Sequence, residues 1–569
     1  MKVYITDETY KSATGLFAAE PPQLSELKAY RNSYGAFQVL LHDGKRNHYV
    51  LDTQFSIPDS IETPIYRIAI TSQLPVKAQF LDYYTGAADL DYADKLLEET
   101  ACTYAGDRLA VLYAEVPIAA DCPTGNYSVR IQVYQANLTV EEQLLYETEI
   151  SVTVNDFAFQ KNVGADFNLD IWQQPSNLAR TFQVPLWSEQ HFQLVEKMAA
   201  SLAKLGQKAV TVIAGEIPWK GWFNYIVKDY PSNLYEYSMI RVFKNEQQQI
   251  RCDFSILEKY LHCFFEAGID QELDVFGLLG VWQPPFFPLN KAVEHPEKLV
   301  IRYQEESSGK LGFLTAKADL DAYLRQVVGY FKEKGLWEKV RILADEPKAH
   351  EIEQFKHSVA ALKAVEPSLQ IKVAFDKEPM LQALLPEIDY PVTSYYCTCQ
   401  NIEQLNQQFP GKTQYYICNY PDKPNTFLHS PLVESRIQGL LAYYFKTDGL
   451  LRWAYTCWPK NARQDIRYNT ASLPIGDLCL IYPSVSGNLL LSLRYKQLYR
   501  GIEDFALLKQ AQQIDQEATQ QLLIEFLGES DPSQWMLDSH RARRELFNQD
   551  YQTYEALREE LIAIITSVE

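Results

Sequence analysis

Between about residue 160 and residue 490, short apolar runs alternate with longer stretches of helical periodicity, and this alternation most restricts the possible folds. The apolar runs have strand length and lie at 167–172, 209–215, 273–279, 340–347, 371–376, 390–396, 413–419 and 449–458. Eight strands joined by helices over about 300 residues are typical of a (β/α)₈ barrel of the TIM type. The sequence therefore predicts such a barrel in the centre of the chain.

The stretch 253–268 illustrates the helical connections. Its apolar residues Leu257, Tyr260, Leu261 and Phe264 recur at helical spacing, and Gly268 follows where a helix would end. Comparable stretches follow most of the other apolar runs, as the barrel requires.

The N-terminal part of the chain has a different period. In residues 127–135, Val129, Ile131 and Val133 alternate with polar residues, which predicts a strand with one buried face. A second alternating run follows at 147–157, and helical periodicity is scarce. This pattern favours an antiparallel β-sandwich.

The chain has 569 residues, which is too many for one ordinary core. We expect a multidomain protein with a β-sandwich at 1–157, the catalytic barrel at 158–490 and a C-terminal helical segment at 491–569. The last region has helical periodicity throughout.

The composition restricts the partners and the location. The net charge is -20, with an isoelectric point of about 5.0, so the surface repels phosphate backbones and nucleic acid is not an expected partner. No window resembles a signal peptide or a membrane helix. Nine scattered cysteines favour reduced thiols, so we expect a cytoplasmic protein without a membrane partner. An oligomeric state is not predicted.

Two carboxylates, Asp345 and Glu346, end the fourth apolar run and are followed by Pro347. Active sites of TIM-type barrels lie at the carboxyl ends of the strands. Successive side chains of a regular strand point to opposite faces, so both acids can serve one pocket only if the strand bends or ends there. Proline is suited to end it. The two interpretations are a solvated strand end and a catalytic pair.

Motifs for metals and nucleotides are incomplete. Gln354 stands where a zinc-protease motif starting at His350 needs its second histidine, and Cys397 and Cys399 have no second ligand pair. The sequence 411–413 lacks the preceding glycine of a phosphate-binding loop. We therefore predict no metal and no cofactor.

Most other polar or aromatic residues near the predicted strand ends suit a sugar ligand, because aromatic faces stack on the apolar side of sugar rings. Each one taken singly can equally be a core residue. The candidate substrate-binding residues are Trp172, Glu216, Tyr395, Tyr396, Asn419, Trp453 and Trp458.

Four ordered blocks resemble a known family. They are "LADEP", "DGLLRWAYTCW", "LPIGDLCLIYPS" and "SLRYKQLYRGIEDFALL". Together they are similar to glycoside hydrolase family 123 and to the related domain-of-unknown-function family 4091, over roughly residues 160 to 510. The predicted sandwich in front of the barrel agrees with that family's architecture.

The resemblance implies an exo-acting β-N-acetylgalactosaminidase that retains the anomeric configuration by substrate-assisted catalysis. The family's aspartate falls on Asp345, which would orient the 2-acetamido group and stabilise the oxazolinium charge. Its acid/base glutamate falls on Glu346. Because the acetamido oxygen acts as the nucleophile, no separate protein nucleophile is needed. The substrate would be an oligosaccharide or a glycoside.

The sequence departs from the family pattern at Ala454 and Tyr455, and at Leu478 and Ser484. These positions bear on the preference for galacto or gluco sugars, not on the acid pair. Two other functions stay open. One is a conventional glycosidase that uses a second carboxylate such as Glu216, and the other is a carbohydrate-binding protein without catalysis.

Overall fold

The computed structural model of the protein describes residues 1–14, 20–51, 64–137, 140–218, 235–281, 293–468, 473–538, 540–541, 543 and 548–567. The strands of the N-terminal region are β1 (Lys2–Asp7), β2 (Glu26–Arg31), β3 (Ser33–His42), β4 (Asn47–Leu51), β5 (Ile65–Ser72), β6 (Lys77–Thr85), β7 (Asp91–Leu96), β8 (Ala101–Tyr104), β9 (Ala110–Ile118), β10 (Gly125–Asn137) and β11 (Val140–Ala158).

The later strands are β12 (Asn168–Ile171), β13 (Ala209–Ile213), β14 (Ile217–Pro218), β15 (Tyr235–Glu236), β16 (Arg241–Lys244), β17 (Ile250–Asp253), β18 (Glu272–Phe276), β19 (Arg302–Glu305), β20 (Leu311–Phe313), β21 (Val340–Asp345), β22 (Ile371–Phe375), β23 (Tyr390–Ser394), β24 (Gln414–Ile417), β25 (Gly449–Arg452), β26 (Tyr482–Pro483) and β27 (Leu489–Leu490). The α-helices are α1 (Pro175–Phe182), α2 (Glu189–Leu205), α3 (Ser255–Glu266), α4 (Lys317–Glu333), α5 (Ile352–Val365), α6 (Glu378–Leu384), α7 (Tyr395–Gln408), α8 (Val433–Tyr444), α9 (Leu493–Ile514), α10 (Gln516–Leu527) and α11 (Tyr551–Thr566).

The N-terminal strands form two sheets that share one buried core. The sheet orders are β1-β3-β9-β6-β7 and β2-β11-β10-β5-β4-β8. The predicted buried face of β10 is confirmed, since Val129, Ile131 and Val133 are fully buried. Most neighbouring strands are antiparallel, as predicted, but the pairs β2/β11 and β4/β5 are parallel.

The centre of the chain forms one parallel sheet of eight strands, in the order β12-β25-β24-β23-β22-β21-β18-β13. These strands coincide with the eight apolar runs of the sequence. From β13 to β25 each barrel strand lies beside the next one in chain order, and the first, β12, lies beside the last, β25. The sheet thus curls into a nearly closed barrel.

The seam between β12 and β13 is completed largely by side chains. One backbone hydrogen bond of 2.9 Å joins the Lys208 N–H to the Leu169 carbonyl. Gln173 then bonds Thr211 twice, because its backbone N–H donates to the threonine hydroxyl and its side-chain oxygen accepts from the threonine N–H. These glutamine contacts satisfy backbone groups that a regular ladder would otherwise pair.

Helix α9 follows the last barrel strand and packs on α8 and α2, so it closes the helical layer around the sheet. The crossing of α8 and α9 requires glycine on both helices. A side chain at Gly439 would place its Cβ 1.8 Å from the Gly501 carbonyl oxygen, and one at Gly501 would meet the Arg436 carbonyl at 2.1 Å. The two backbones can approach this closely only because neither residue has a Cβ.

Buried arginines of α9 join the N-terminal sheets to the barrel. The Arg494 guanidinium donates to Asp94 of β7 at 2.8 Å, and Arg500 donates to Glu8 at 2.9 Å. Arg500 also stacks on the ring of Tyr34, 3.8 Å from its centroid. Paired and stacked charges of this kind can be buried without leaving an isolated ion.

Among the helices of the described residues, none is both long enough and apolar enough to cross a membrane.

Candidate active site

The two adjacent acids lie where the fourth barrel strand turns away from the sheet. Strand β21 ends at Asp345, and the backbone of Glu346 adopts a φ of 40°, a left-handed conformation that is uncommon for a residue with a side chain. The Glu346 N–H still donates to the Ala374 carbonyl of the next strand at 2.9 Å. The predicted bend is therefore present. Both acids are half-buried at the carboxyl end of the barrel.

Tyr416 and Lys348 contact the Glu346 carboxylate. The Tyr416 hydroxyl donates to Oε1 at 2.8 Å, and the Lys348 ammonium lies 3.5 Å from Oε2. Lys348 also pairs with Asp376 at 3.1 Å. Burial disfavours the charge of Lys348, but Glu346 and Asp376 outweigh this and raise the pKa of the lysine. Lys348 therefore stays charged and bridges the ends of β21 and β22.

The Cys418 thiol, directly after β24, shows which carboxylates gather at this end of the barrel. Burial, followed by the negative charges of Glu346, Asp477 and Asp345, raises the pKa of Cys418 well above its ordinary value. The two adjacent acids and Asp477, which lies far from them along the chain, thus act on one thiol. A thiol with a raised pKa is protonated at neutral pH, which makes Cys418 a poor nucleophile.

Asp477 is the carboxylate that the sequence motifs did not single out. It is almost completely buried and accepts a hydrogen bond of 3.2 Å from Nε1 of Trp453. Burial raises the pKa of Asp477 to about 6, although the charge of Arg452 opposes the shift. Buried carboxyl groups with shifted pKa values are common in functional sites. Asp477 also fixes the half-buried indole of Trp453, a predicted binding residue.

Glu216 follows β13, but both of its oxygens are engaged. Nε and Nη2 of Arg302 each contact one oxygen at 2.8 Å, and the Tyr235 hydroxyl donates to Oε2 at 3.1 Å. The carboxylate is nearly buried, and the bidentate pair neutralises it. Glu216 therefore supports the surrounding segments rather than offering a free carboxylate.

The predicted aromatic residues differ in their exposure. Tyr395 is fully buried against Tyr415 and Phe445, and Trp458 is fully buried with its Nε1 donating to the Ile481 carbonyl at 2.8 Å. Neither ring offers a face to a ligand in this structure. Trp172 is also buried, with its ring edge-to-face against Phe276.

Tyr396 and Asn419 lie at the ends of β23 and β24 and are half-buried. The Cys418 thiol donates to the Asn419 side-chain oxygen at 3.1 Å. Together with Trp453, these residues are the predicted binding residues that stay partly accessible at the end of the barrel that carries the acid pair.

Sequence reasoning missed Tyr416, Lys348, Asp376 and Asp477. Lys348 and Asp376 could have been found, because each stands within three residues of a predicted strand end. Asp477 lies in a long connection after β25, within the block "LPIGDLCLIYPS", where only the family resemblance could have drawn attention to it.

Deeper in the barrel, one group of carboxylates has the spacing of a metal site. Asp170, Glu272 and Asp274 converge, and the ammonium of Lys372 lies between them at 2.6, 2.6 and 3.0 Å. The lysine supplies the positive charge that a cation would otherwise supply. This cluster is separate from the acid pair at the strand ends.

The profile of the glycoside hydrolase 123 catalytic domain matches residues 172–511. No curated protein sequence matches the chain. A family 123 glycoside hydrolase from Clostridium perfringens, studied for glycolipid glycan hydrolysis, superposes with a TM-score of 0.74 at 15% identity, and the match covers 100% of this chain and 98% of that one.

More distant matches include two other glycan-active enzymes. A family 5 glycoside hydrolase from Bacteroides vulgatus has a TM-score of 0.31 at 10% identity, covering 60% of this chain and 67% of its own. An alpha-amylase from Lactobacillus plantarum has a TM-score of 0.29 at 11% identity, covering 62% and 81%.

The matched profile covers more than half of the chain and includes the acid pair, the β25 connection with Asp477 and most of α9. The chain belongs to glycoside hydrolase family 123.

Proposed function

We propose that the protein is a retaining exo-glycosidase that removes terminal β-linked N-acetylhexosamine, with N-acetylgalactosamine favoured, and that its barrel is a (β/α)₈ barrel of the TIM type. The observation that carries the proposal is the placement of Asp345 and Glu346 on adjacent residues, with the second turned by its left-handed backbone. Adjacent acids on one side of a sugar suit a substrate that brings its own nucleophile.

In the proposed first step, the 2-acetamido carbonyl oxygen attacks the anomeric carbon while the bond to the leaving oxygen breaks. Glu346 gives its proton to that oxygen, and Asp345 accepts a hydrogen bond from the acetamido N–H and balances the oxazolinium charge. In the second step, water attacks the anomeric carbon, Glu346 takes its proton and the ring of the intermediate opens. Two inversions at one carbon give net retention.

The state of Glu216 supports this mechanism over the conventional one. A protein nucleophile opposite Glu346 must be an available carboxylate, and Glu216 is held by both nitrogens of the Arg302 fork. Freeing it would break this bidentate ion pair and leave a nearly buried carboxylate without the cation that neutralises it, which is costly.

The leaving-group part of the substrate would contact Trp453, Tyr396 and Asn419, which are partly accessible at the carboxyl end of the barrel. The relative from Clostridium perfringens acts on glycolipid glycans, which is consistent with an oligosaccharide substrate. The acidic charge and nine free cysteines also lead us to propose a cytoplasmic enzyme that does not bind nucleic acid. The division at residues 157 and 490 stays a prediction.

The test is hydrolysis of four p-nitrophenyl β-glycosides, which carry either a 2-acetamido or a 2-hydroxyl group in galacto or gluco configuration. Cleavage restricted to the 2-acetamido sugars is expected, with the galacto form faster. Cleavage of the 2-hydroxyl sugars at similar rates would exclude the assisted mechanism. Inhibition by a thiazoline analogue of the cyclic intermediate provides a second test.

A further inference from the structure

A large cleft opens at the opposite end of the barrel from the acid pair. Its volume is about 760 Å³, within the range of small-molecule binding sites. Asp448, the residue before β25, lines the cleft, as do the last turns of α7, α8 and α9 and the side of α10. Residues that precede strands lie at the amino end of the barrel, so this cleft is separate from the catalytic site.

The lining of the cleft includes an aromatic ring and a carboxylate. Tyr443 is half-buried and packs edge-to-face on Phe505, with the ring centroids 6.3 Å apart. Oδ2 of Asp448 accepts a hydrogen bond of 2.8 Å from the Thr413 N–H. The other oxygen, Oδ1, has no hydrogen-bond partner among the residues that the structure describes. Both side chains are therefore fixed in place, and the carboxylate still offers an acceptor.

The lining also includes amide side chains. Gln512 at the end of α9, and Gln516 and Gln520 on successive turns of α10, line the cleft. Within the described part of the chain, none of these three amides takes part in a hydrogen bond. Each amide offers two donors and one acceptor oxygen, which is the pattern that can bond a pair of neighbouring hydroxyl groups.

The charges that line the cleft balance. The lining contains two lysines, Lys446 and Lys509, and two carboxylates, Glu403 and Asp448, so neither sign of charge dominates. An anionic or cationic ligand would find no complementary field. A neutral ligand rich in hydroxyl groups, with apolar C–H faces for Tyr443, fits the lining.

We propose that this cleft is a second glycan-binding site, which holds a neutral oligosaccharide away from the acid pair without hydrolysing it. Binding there would retain a long glycan at the enzyme, whereas hydrolysis of a small aryl glycoside would not depend on this site. The proposal concerns ligand binding and does not depend on which sugar the catalytic end prefers.

The experiment is calorimetric titration of the Glu346→Gln protein with three pentasaccharides, namely chitopentaose, cellopentaose and β-1,4-galactopentaose. The variants Tyr443→Ala and Gln512→Ala/Gln516→Ala are made in that background. Gln513→Ala is the matched control, because this neighbouring glutamine is exposed on α9 and does not line the cleft. We expect at least one pentasaccharide to bind with a Kd that both cleft variants raise tenfold or more and that Gln513→Ala leaves unchanged.

The same cleft substitutions in the otherwise unchanged enzyme should not alter hydrolysis of the p-nitrophenyl substrate. Circular dichroism and Tm confirm that each variant is folded. If no pentasaccharide binding is weakened by either folded cleft variant, the proposal is wrong. This outcome is distinct from a failure of the proposed hydrolysis, which would appear with the aryl glycosides and the acid pair alone.

Discussion

The hydroxyl of Tyr416, on the seventh barrel strand, donates a hydrogen bond of 2.8 Å to Oε1 of Glu346, at the end of the fourth. Tyr416 is buried, and its burial together with the charge of Glu346 raises the pKa of the phenol well above its ordinary value. The tyrosine therefore remains a proton donor at neutral pH. Its hydrogen bond fixes Oε1 of Glu346, and Oε2 faces the Lys348 ammonium.

Replacing Tyr416 with phenylalanine should lower kcat and leave KM nearly unchanged, because the tyrosine orients Glu346 rather than binding the sugar. A hydrogen bond to a charged group contributes about 1.5–3 kcal/mol, so the expected loss is roughly tenfold to hundredfold. The control is Tyr415→Phe, because the Tyr415 hydroxyl donates to Gln438 outside the barrel. A similar loss of kcat in both variants would contradict the positioning role.

Replacing Glu346 with glutamine should abolish hydrolysis of glycosides with poor leaving groups and spare the first step for activated aryl glycosides. Protonation of the leaving oxygen matters less when that oxygen is already a weak base. Rates for a p-nitrophenyl and an alkyl glycoside of the same sugar measure the difference. Glu353→Gln, an exposed glutamate of α5, should behave like the parent enzyme.

Replacing Asp345 with asparagine should slow both classes of substrate, by about 10²- to 10³-fold, because it withdraws negative charge from the oxazolinium in every case. The measurement uses the same pair of glycosides as for Glu346. The contrast between the two variants is the informative result. Equal and mild losses in both would show that the assigned roles are wrong.

Replacing Asp477 with asparagine should change how stability depends on pH. The folded protein holds the Asp477 proton more tightly, because its pKa of about 6 exceeds the ordinary value of 3.8. Between pH 3.8 and pH 6, unfolding therefore releases this proton. The stabilising contribution of the protonated carboxyl group is fully present below pH 3.8 and is lost as the pH rises through 6.

The full effect of this pKa shift on the free energy of unfolding is roughly 2–4 kcal/mol. We expect the stability difference between Asp477→Asn and the parent protein to move in favour of the variant as the pH rises from 4 to 7.5. Urea unfolding midpoints at the two pH values measure it. A difference that does not change with pH would show that Asp477 is ionised in the folded protein at both values.

Replacing Lys372 with methionine should destabilise the protein strongly, by about 3–5 kcal/mol, because it leaves three buried carboxylates without their cation. The charges of Asp170, Asp274 and Glu272 outweigh burial and raise the pKa of Lys372 well above its ordinary value. Lys377→Met, at an exposed position five residues later, is the control. Equal unfolding midpoints for the two variants would contradict a central role for the cluster.

Much of the architecture was predictable because the periodicity of apolar residues is a local property. All eight barrel strands coincide with the runs identified in the sequence, and Asp345 and Glu346 fall at the end of the fourth, as predicted. Pro347 indicated that the strand would end there. The left-handed φ of Glu346, which turns the chain away from the sheet, required the structure.

The sequence by itself determined the order of strands and helices, the alternating β-structure before them and the position of the acid pair, because each depends on neighbouring residues and on chain order. Only the tertiary structure decided which side chains meet at the barrel end. It brought Tyr416 and Asp477 to the acids, enclosed Tyr395 and Trp458 in the core, and tied Glu216 to Arg302. These outcomes depend on the packing of segments distant in the chain, so hydrophobicity patterns along it cannot reveal them.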